Sequence, residues 1–392
     1  MGAGQESSSD IREFQDPGTG RHVVQLTSGD CFDYALYYYI PSMTRDGRYV
    51  VFYRHRGSDV QLHRLDILSG LTTQLTEAKT ANALWRPWLQ PPASGVRDQL
   101  SAFCPVTNDV FYFDSNLLRC VNIHTLEDRV VYELDDGRVP CGLTGVSPDG
   151  QHFVFPHADR TWWEQNLASG PETHTATDCR LVIVDIHAGT ARTLVHQNGW
   201  ITHSHFYDDQ RILFSHAPTH RAILMTDLRG GWYVCLRSPD ENGMTCHYQA
   251  TCCGVAYEVL PRHLGICDPR TLDREEYLLG NIRTYHLGRD PEARLWFYEA
   301  PVGETMRGIA WLPRLEPGVP NSAEVILGPI RTYWLGQRSH IHPTVTPGRR
   351  HILFTGGDDR NETNHLFLLD IADLEDTQWD WPSRHAGRST AL

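Results

Sequence analysis

Along this chain apolar positions recur every second residue in short runs, and the runs themselves recur at intervals of roughly 40 to 55 residues. The clearest unit opens on the turn phrase Thr44-Arg45-Asp46-Gly47 and continues through Tyr49-Val50-Val51-Phe52-Tyr53. It then passes to Gln61-Leu62-His63-Arg64-Leu65-Asp66-Ile67 and closes on Thr73-Gln74-Leu75-Thr76. Asp-Gly favours a hairpin because glycine takes positive φ cheaply and the aspartate can bond its own backbone. The flanking β-branched and aromatic runs predict strands.

The same cycle returns at Ser147-Pro148-Asp149-Gly150 with Phe153-Val154-Phe155 and Leu181 to Ile186, at Ile212-Leu213-Phe214 with Ile223 to Asp227, and at Thr346-Pro347-Gly348 with Ile352-Leu353-Phe354 and Leu366 to Ile371. Weaker copies lie at Val110 to Val131, Gly254 to Leu279 and Leu295 to Leu327. Helical periodicity is nearly absent. The expected fold is all-β, a seven-bladed β-propeller in one domain over residues 1–392, with about 1–20 an N-terminal extension and about 383–392 a tail. The segment His22-Val23-Val24-Gln25-Leu26-Thr27 reads as a closing strand that precedes the first complete unit. Joining it to the C-terminal blade would close the ring and remove an exposed sheet edge. Asp159 to Asp178 and Leu312 to Asn321 read as loops inserted on a face.

Composition narrows the partners. The formal charge is −13, from 48 acidic and 35 Lys and Arg residues, which speaks against nucleic-acid or anionic-membrane binding. A small anionic ligand stays open, since a local group of Arg, His and metal can reverse the field inside one pocket. No stretch approaches a membrane span, and Met1 to Asp10 is polar with no signal-like apolar region. The ten cysteines are scattered, include the adjacent Cys252-Cys253, and show no zinc spacing. They read as reduced thiols of a cytoplasmic protein. Oligomeric state is left open.

The stretch with most chemical content is Gly336-Gln337-Arg338-Ser339-His340-Ile341-His342-Pro343. In an extended segment His340 and His342 point the same way, and an amide oxygen from Gln337 could complete a chelate. Imidazole with carbonyl oxygen suits manganese, iron or zinc. A polar loop with two solvated histidines is the alternative reading of the same residues.

Gln-x-x-His-x-His-Pro ahead of Thr346-Pro347 and an Ile-Leu-Phe-Thr strand resembles the metal motif of the oligogalacturonate lyase family, cytoplasmic seven-bladed propellers that cleave short pectin fragments by β-elimination. The resemblance extends to Asp16 to Thr27, to Asp46-Gly47 with Gln74-Leu75-Thr76, and to Trp200 to His216. It implies a divalent metal, manganese first, held by Gln337, His340, His342 and, from the preceding blade, His286 in Thr284-Tyr285-His286-Leu287-Gly288. It places the catalytic base at His247 in Cys246-His247-Tyr248 and an assisting arginine at Arg221, with His203 and His205 as candidates to contact substrate. Two departures fall around the substrate pocket: Gln249 to Cys253 replaces an aromatic-rich phrase, and Ala217 stands where the family tends to be acidic.

The implied substrate is a small anionic uronate oligosaccharide. Its C5 proton must leave before the C4–O bond breaks. A metal on the C6 carboxylate would stabilise the enolate-like charge, and a neutral imidazole near C5 suits a general base. An arginine can pair bidentately with a carboxylate. The product would be a 4,5-unsaturated uronate. A lyase for a glucuronate-type glycan and a non-catalytic glycan-binding propeller are the competing readings. A glycosidase would need paired carboxylates at blade starts, where this chain carries His and Arg.

Overall fold

A computed structural model describes residues 2–80, 94–97, 99–166, 178–216, 222–238, 243, 245, 247–302, 306–333 and 340–381. The described residues form seven sheets of four to six strands, antiparallel except where Ser94–Gly95 runs parallel beside Asp59–Asp66, and one short helix, Arg160–Asn166. The fold is an all-β, seven-bladed β-propeller. Two compact units divide the chain, one of Met1–Ser8, Ile40–Glu241 and Leu335–Gln337, the other of Ser9–Tyr39, Asn242–Trp334 and Arg338–Leu392.

The first unit holds the blades built on Tyr49–Arg56, Asp109–Asp114, His152–Asp159 and Arg211–His216. Its turns follow the sequence signals. At Asp46-Gly47 the glycine has φ 71°, its N–H bonds the Thr44 carbonyl at 2.9 Å, and the Thr44 hydroxyl donates to Asp46 at 2.6 Å. Ser147 to Gly150 repeats the device, with φ 74° at Gly150. The insertion after Asp159 begins as the helix, not as a loop. Asp159 caps it by accepting the Trp162 N–H at 2.8 Å, and Trp163 is buried against Trp200.

In the second unit the blades are Tyr248–Thr251 to Arg274–Leu278, His286–Leu287 to Glu324–Arg331, and a C-terminal sheet of five strands. That last sheet carries the expected closure, since Val23, Val24 and Gln25 pair with Leu369, Leu368 and Phe367. A further strand, Arg12–Gln15, lies outside His22–Gln25. In the first unit Glu6–Ser8 edges Leu71–Gln74, so part of the stretch expected as an extension is strand. Alternation along Trp296–Val302 serves two cores. Trp296, Tyr298 and Ala300 pack with Leu264, Ile266 and Leu287, while Phe297 packs with Ile341, Phe354 and Phe367.

One buried titratable group outside the candidate site has a measurable consequence. His157 accepts from Arg138 Nε at 2.9 Å, and burial with that guanidinium pushes its imidazole down to about 3. Unfolded, the ring would titrate near 6.5, so below that pH the unfolded chain binds a proton that the folded chain refuses. Stability is therefore full above about pH 6.5 and falls as the pH drops toward 3, by at most about 1.4 kcal/mol per pH unit. Urea midpoints at pH 7.5 and 5 should differ less for His157→Gln, whose amide oxygen can still accept from Arg138. An unchanged difference would place the acid sensitivity elsewhere.

Candidate metal centre

The second unit gathers His247, His286, His340 and His342 around two buried glutamates. His286 stands at the first position of its blade and pairs in register with Glu299 on the neighbouring strand. Because Glu299 shares the face of Phe297, its carboxylate is turned toward the C-terminal blade. There Glu299 Oε2 lies 3.2 Å from His286 Nδ1 and Oε1 lies 3.0 Å from His340 Nδ1. Arg307 Nε is 2.9 Å from Oε1. Burial would push the Glu299 carboxyl up, but His340 and Arg307 hold it below its ordinary value.

The His-x-His segment converges, though not by alternation. Residues 341–343 are not strand, and His342 has φ 42°, a left-handed conformation uncommon outside glycine. Ile341 is the anchor, fully buried in the core while its carbonyl accepts the Thr355 N–H at 2.9 Å. With the segment pinned there, the backbone twist at His342 brings its ring within 4.9 Å of His286 and 5.9 Å of His340. His286 and His340 are 4.5 Å apart.

Burial, followed by neighbouring histidines, pushes the His286 and His342 imidazoles well below their ordinary range. Both are neutral at physiological pH, the form that ligates metals. His342 Nε2 is buried with no hydrogen-bond partner among the described residues, and as a lone-pair nitrogen it is an orphaned acceptor of the kind a metal ion satisfies. Donor atoms of His286, Glu299 and His340 lie within 4.8 Å of one another. Glu299 nevertheless has its oxygens engaged by two Nδ1 atoms and a guanidinium. It fits the outer carboxylate that orients ligating imidazoles, leaving their Nε2 atoms for the ion. The residues present therefore fit a divalent metal.

Beside this centre stands a second His–Glu pair of the same design. His247 Nδ1 makes a short contact with Glu258 Oε1, and the Glu258 N–H bonds the His247 carbonyl at 3.0 Å. Thr284 Oγ1 donates to the other oxygen, Glu258 Oε2, at 2.8 Å. The His247 and His286 rings are only 4.1 Å apart. Tyr38 closes one flank. Its hydroxyl donates to the Tyr248 carbonyl at 2.9 Å and accepts the Tyr248 N–H at 2.8 Å. Gln249, in the phrase that departs from the family pattern, donates to the Gly288 carbonyl at 2.7 Å and so ties this strand to the next blade.

Of the residues singled out from sequence, His247, His286, His340 and His342 come together. Gln337 and Arg221 lie outside the described residues. His203 and His205 belong to the first unit, on Ile201–Phe206, where a bulge and a φ of 52° at His203 interrupt the strand. Both are buried, and His205 Nδ1 lies 3.0 Å from the His203 carbonyl. Glu299, Glu258, Arg307 and Thr284 escaped the sequence reading. A signal was present: Tyr257-Glu258 and Tyr298-Glu299 place an acidic residue at the same point of apolar strands in consecutive blades.

A β-propeller with an imidazole-rich, carboxylate-braced cluster and an adjacent histidine is arranged for metal-assisted enzyme chemistry. The family model described as oligogalacturonate lyase matches residues 1–254, and the chain belongs to that family, which makes it a polysaccharide lyase. An oligogalacturonate lyase of Dickeya dadantii is 24% identical over 408 residues, covering 95% of this chain and 99% of that protein. An oligogalacturonide lyase of Pectobacterium atrosepticum is 26% identical over 231 residues, 57% of this chain and 55% of that one. Among solved structures, oligogalacturonate lyase from Vibrio parahaemolyticus superimposes with a TM-score of 0.78 at 20% identity, covering 94% and 98% of the two chains. An oligogalacturonate lyase in complex with manganese gives 0.76 at 21% identity, covering 95% and 98%. The family match ends before His286, Glu299, His340 and His342, so these residues rest on geometry. No helix among the described residues is long and apolar enough to cross a membrane.

Proposed function

We propose that this lyase cleaves oligogalacturonate by β-elimination, with His247 as base and a divalent metal, manganese first, held by His286, His340 and His342 with Gln337. The observation that carries the proposal is the paired design: one buried glutamate braces two ligating imidazoles, and a second braces a third imidazole 4.1 Å from the first set. When bound, the cation supplies Lewis-acid charge against a substrate carboxylate.

The chain's own residues do the rest. Glu258 holds the Nδ1 side of His247, so Nε2 is the nitrogen that takes the C5 proton. Thr284 keeps Glu258 in place, and the carboxylate stabilises the imidazolium as it forms. The C5–H electron pair becomes the C4=C5 bond, the C4–O bond breaks, and the leaving oxygen departs with a proton from solvent or a nearby acid. Arg221 is assigned to the substrate carboxylate or leaving oxygen on the family resemblance. Net charge −13 fits a site where attraction for an anionic sugar is local. We place the enzyme in the cytoplasm on the reduced-thiol reading of its cysteines.

The test is direct. Oligogalacturonate with added manganese should give rising ultraviolet absorbance from the unsaturated uronate. His340→Ala with His342→Ala should lower bound metal and lower turnover by at least about 100-fold. No absorbance change across galacturonate and glucuronate oligomers would sink the lyase chemistry. Activity on glucuronate oligomers alone would redirect the substrate, and unchanged metal content would remove the site assignment.

A further inference from the structure

Away from the candidate centre, the second unit contains another set of metal-ligating side chains. Cys31 and Asp33 come from the N-terminal segment and His365 from the strand Thr363–Asp370. All are buried, at 3%, 0% and 0% exposure, and their donor atoms lie within 4.8 Å of one another.

His365 sits in a polar frame that orients its ring. Thr27 Oγ1 accepts the Leu366 N–H at 3.1 Å and lies 3.3 Å from His365 Nδ1. Thr363 Oγ1 donates to the Gly29 carbonyl at 3.5 Å and can then accept from His365 Nε2–H at 3.0 Å. That arrangement would leave Nδ1 free to act as a ligand, and Nδ1 lies 3.2 Å from Asp33 Oδ2, a contact that either a proton or a cation can bridge. The Cys31 sulfur completes the set at 3.8 and 3.9 Å from the two Asp33 oxygens.

We propose that Cys31, Asp33 and His365 form a second, structural site for a borderline divalent cation, zinc being the best match. For tetrahedral zinc, bond lengths of about 2.0 Å to N and O and 2.3 Å to S imply donor–donor edges of about 3.3 Å for N···O and about 3.5 Å for S···O. The observed separations lie within a few tenths of an ångström of these. Thiolate plus carboxylate carry two negative charges, which one divalent ion neutralises, and a thiolate selects zinc over manganese. Nε2–H bonded to Thr363 is the outer partner that fixes a ligating tautomer. The ion would tie the N-terminal segment to the C-terminal blade, where the closing strand Val23 to Gln25 is seated.

The decisive measurement uses cobalt(II) as the probe on the full chain, stripped with chelator and reconstituted. The candidate centre described above offers imidazole, amide and carboxylate but no thiolate. A near-ultraviolet thiolate-to-cobalt band therefore reads the second site alone. The band is expected in the parent protein, should persist in His340→Ala with His342→Ala, and should vanish in Cys31→Ser. Cys31→Ser should also bind one metal fewer per chain. His365→Gln serves as a second variant should Cys31→Ser not fold, with circular dichroism as the check. Absence of the band in the parent protein overturns the proposal. So does a band that survives Cys31→Ser, which would assign it to the adjacent pair Cys252 and Cys253. Neither outcome bears on the lyase assay.

Discussion

Glu299→Gln is expected to weaken metal binding by about 10- to 100-fold while leaving the four histidines in the chain. Glu299 is fully buried and its two oxygens serve His286, His340 and Arg307 at once. An amide offers one acceptor and one donor, so one of the two imidazoles loses its Nδ1 partner and its preferred orientation. Activity should fall at limiting manganese and recover with excess, whereas a change confined to the base would not respond to metal. Stability should also fall, by roughly 3–5 kcal/mol, because the Arg307 guanidinium loses its buried counter-charge. Adding Arg307→Met removes that charge. The double variant should regain much of the stability and keep the weakened metal affinity. Metal affinity equal to that of the parent protein would show that Glu299 is a structural ion-pair partner and nothing more.

The centre shows which parts of a site a linear reading can reach. Turns, strands and the closing strand were legible because Asp-Gly phrases and period-two patterns are local, and each blade repeats them. The His-x-His motif was legible as a residue pattern, but its geometry was not. Alternation in an extended segment would have aligned His340 and His342. The chain instead reaches convergence through a left-handed His342 beside the buried anchor Ile341. The bracing glutamates were harder still. Glu258 and Glu299 lie 11 and 13 residues from the histidines they hold, and Glu299 lies 41 from His340. Only strand register and the facing of adjacent blades make them neighbours. In sequence they are single acidic residues inside apolar runs, a pattern whose physical oddity is burial of charge without a visible partner.

His203 and His205 illustrate the opposite limit. They share the His-x-His spacing of His340 and His342, and both pairs include a residue at positive φ. Their surroundings differ. His205 turns Nδ1 toward the His203 carbonyl, whereas His286 and His340 turn theirs toward Glu299. A His-x-His pattern thus becomes a metal candidate through the carboxylate that orients it, and that carboxylate comes from another strand.

His247→Ala should lower kcat by about 10²- to 10⁴-fold, the usual contribution of a positioned general base, with bound metal unchanged. Added imidazole should restore part of the rate, since the truncated side chain leaves room for it beside His286. Glu258→Gln should give a smaller loss in kcat at nearly constant KM. The Gln side chain can present its amide N–H to Nδ1 as readily as its oxygen. When it does, the imidazole is driven to the tautomer with the proton on Nε2, which cannot accept from C5. Glu258→Asp keeps the charge but shortens the reach to His247 and Thr284, and should fall between parent and Glu258→Gln. Loss of metal in Glu258→Gln would join it to the function of Glu299 and dissolve the division of labour between the two carboxylates. Retained metal with low kcat would leave Glu299 bracing the ion's ligands and Glu258 bracing the base, two copies of one strand-borne device set to different chemistry by the histidine each one holds.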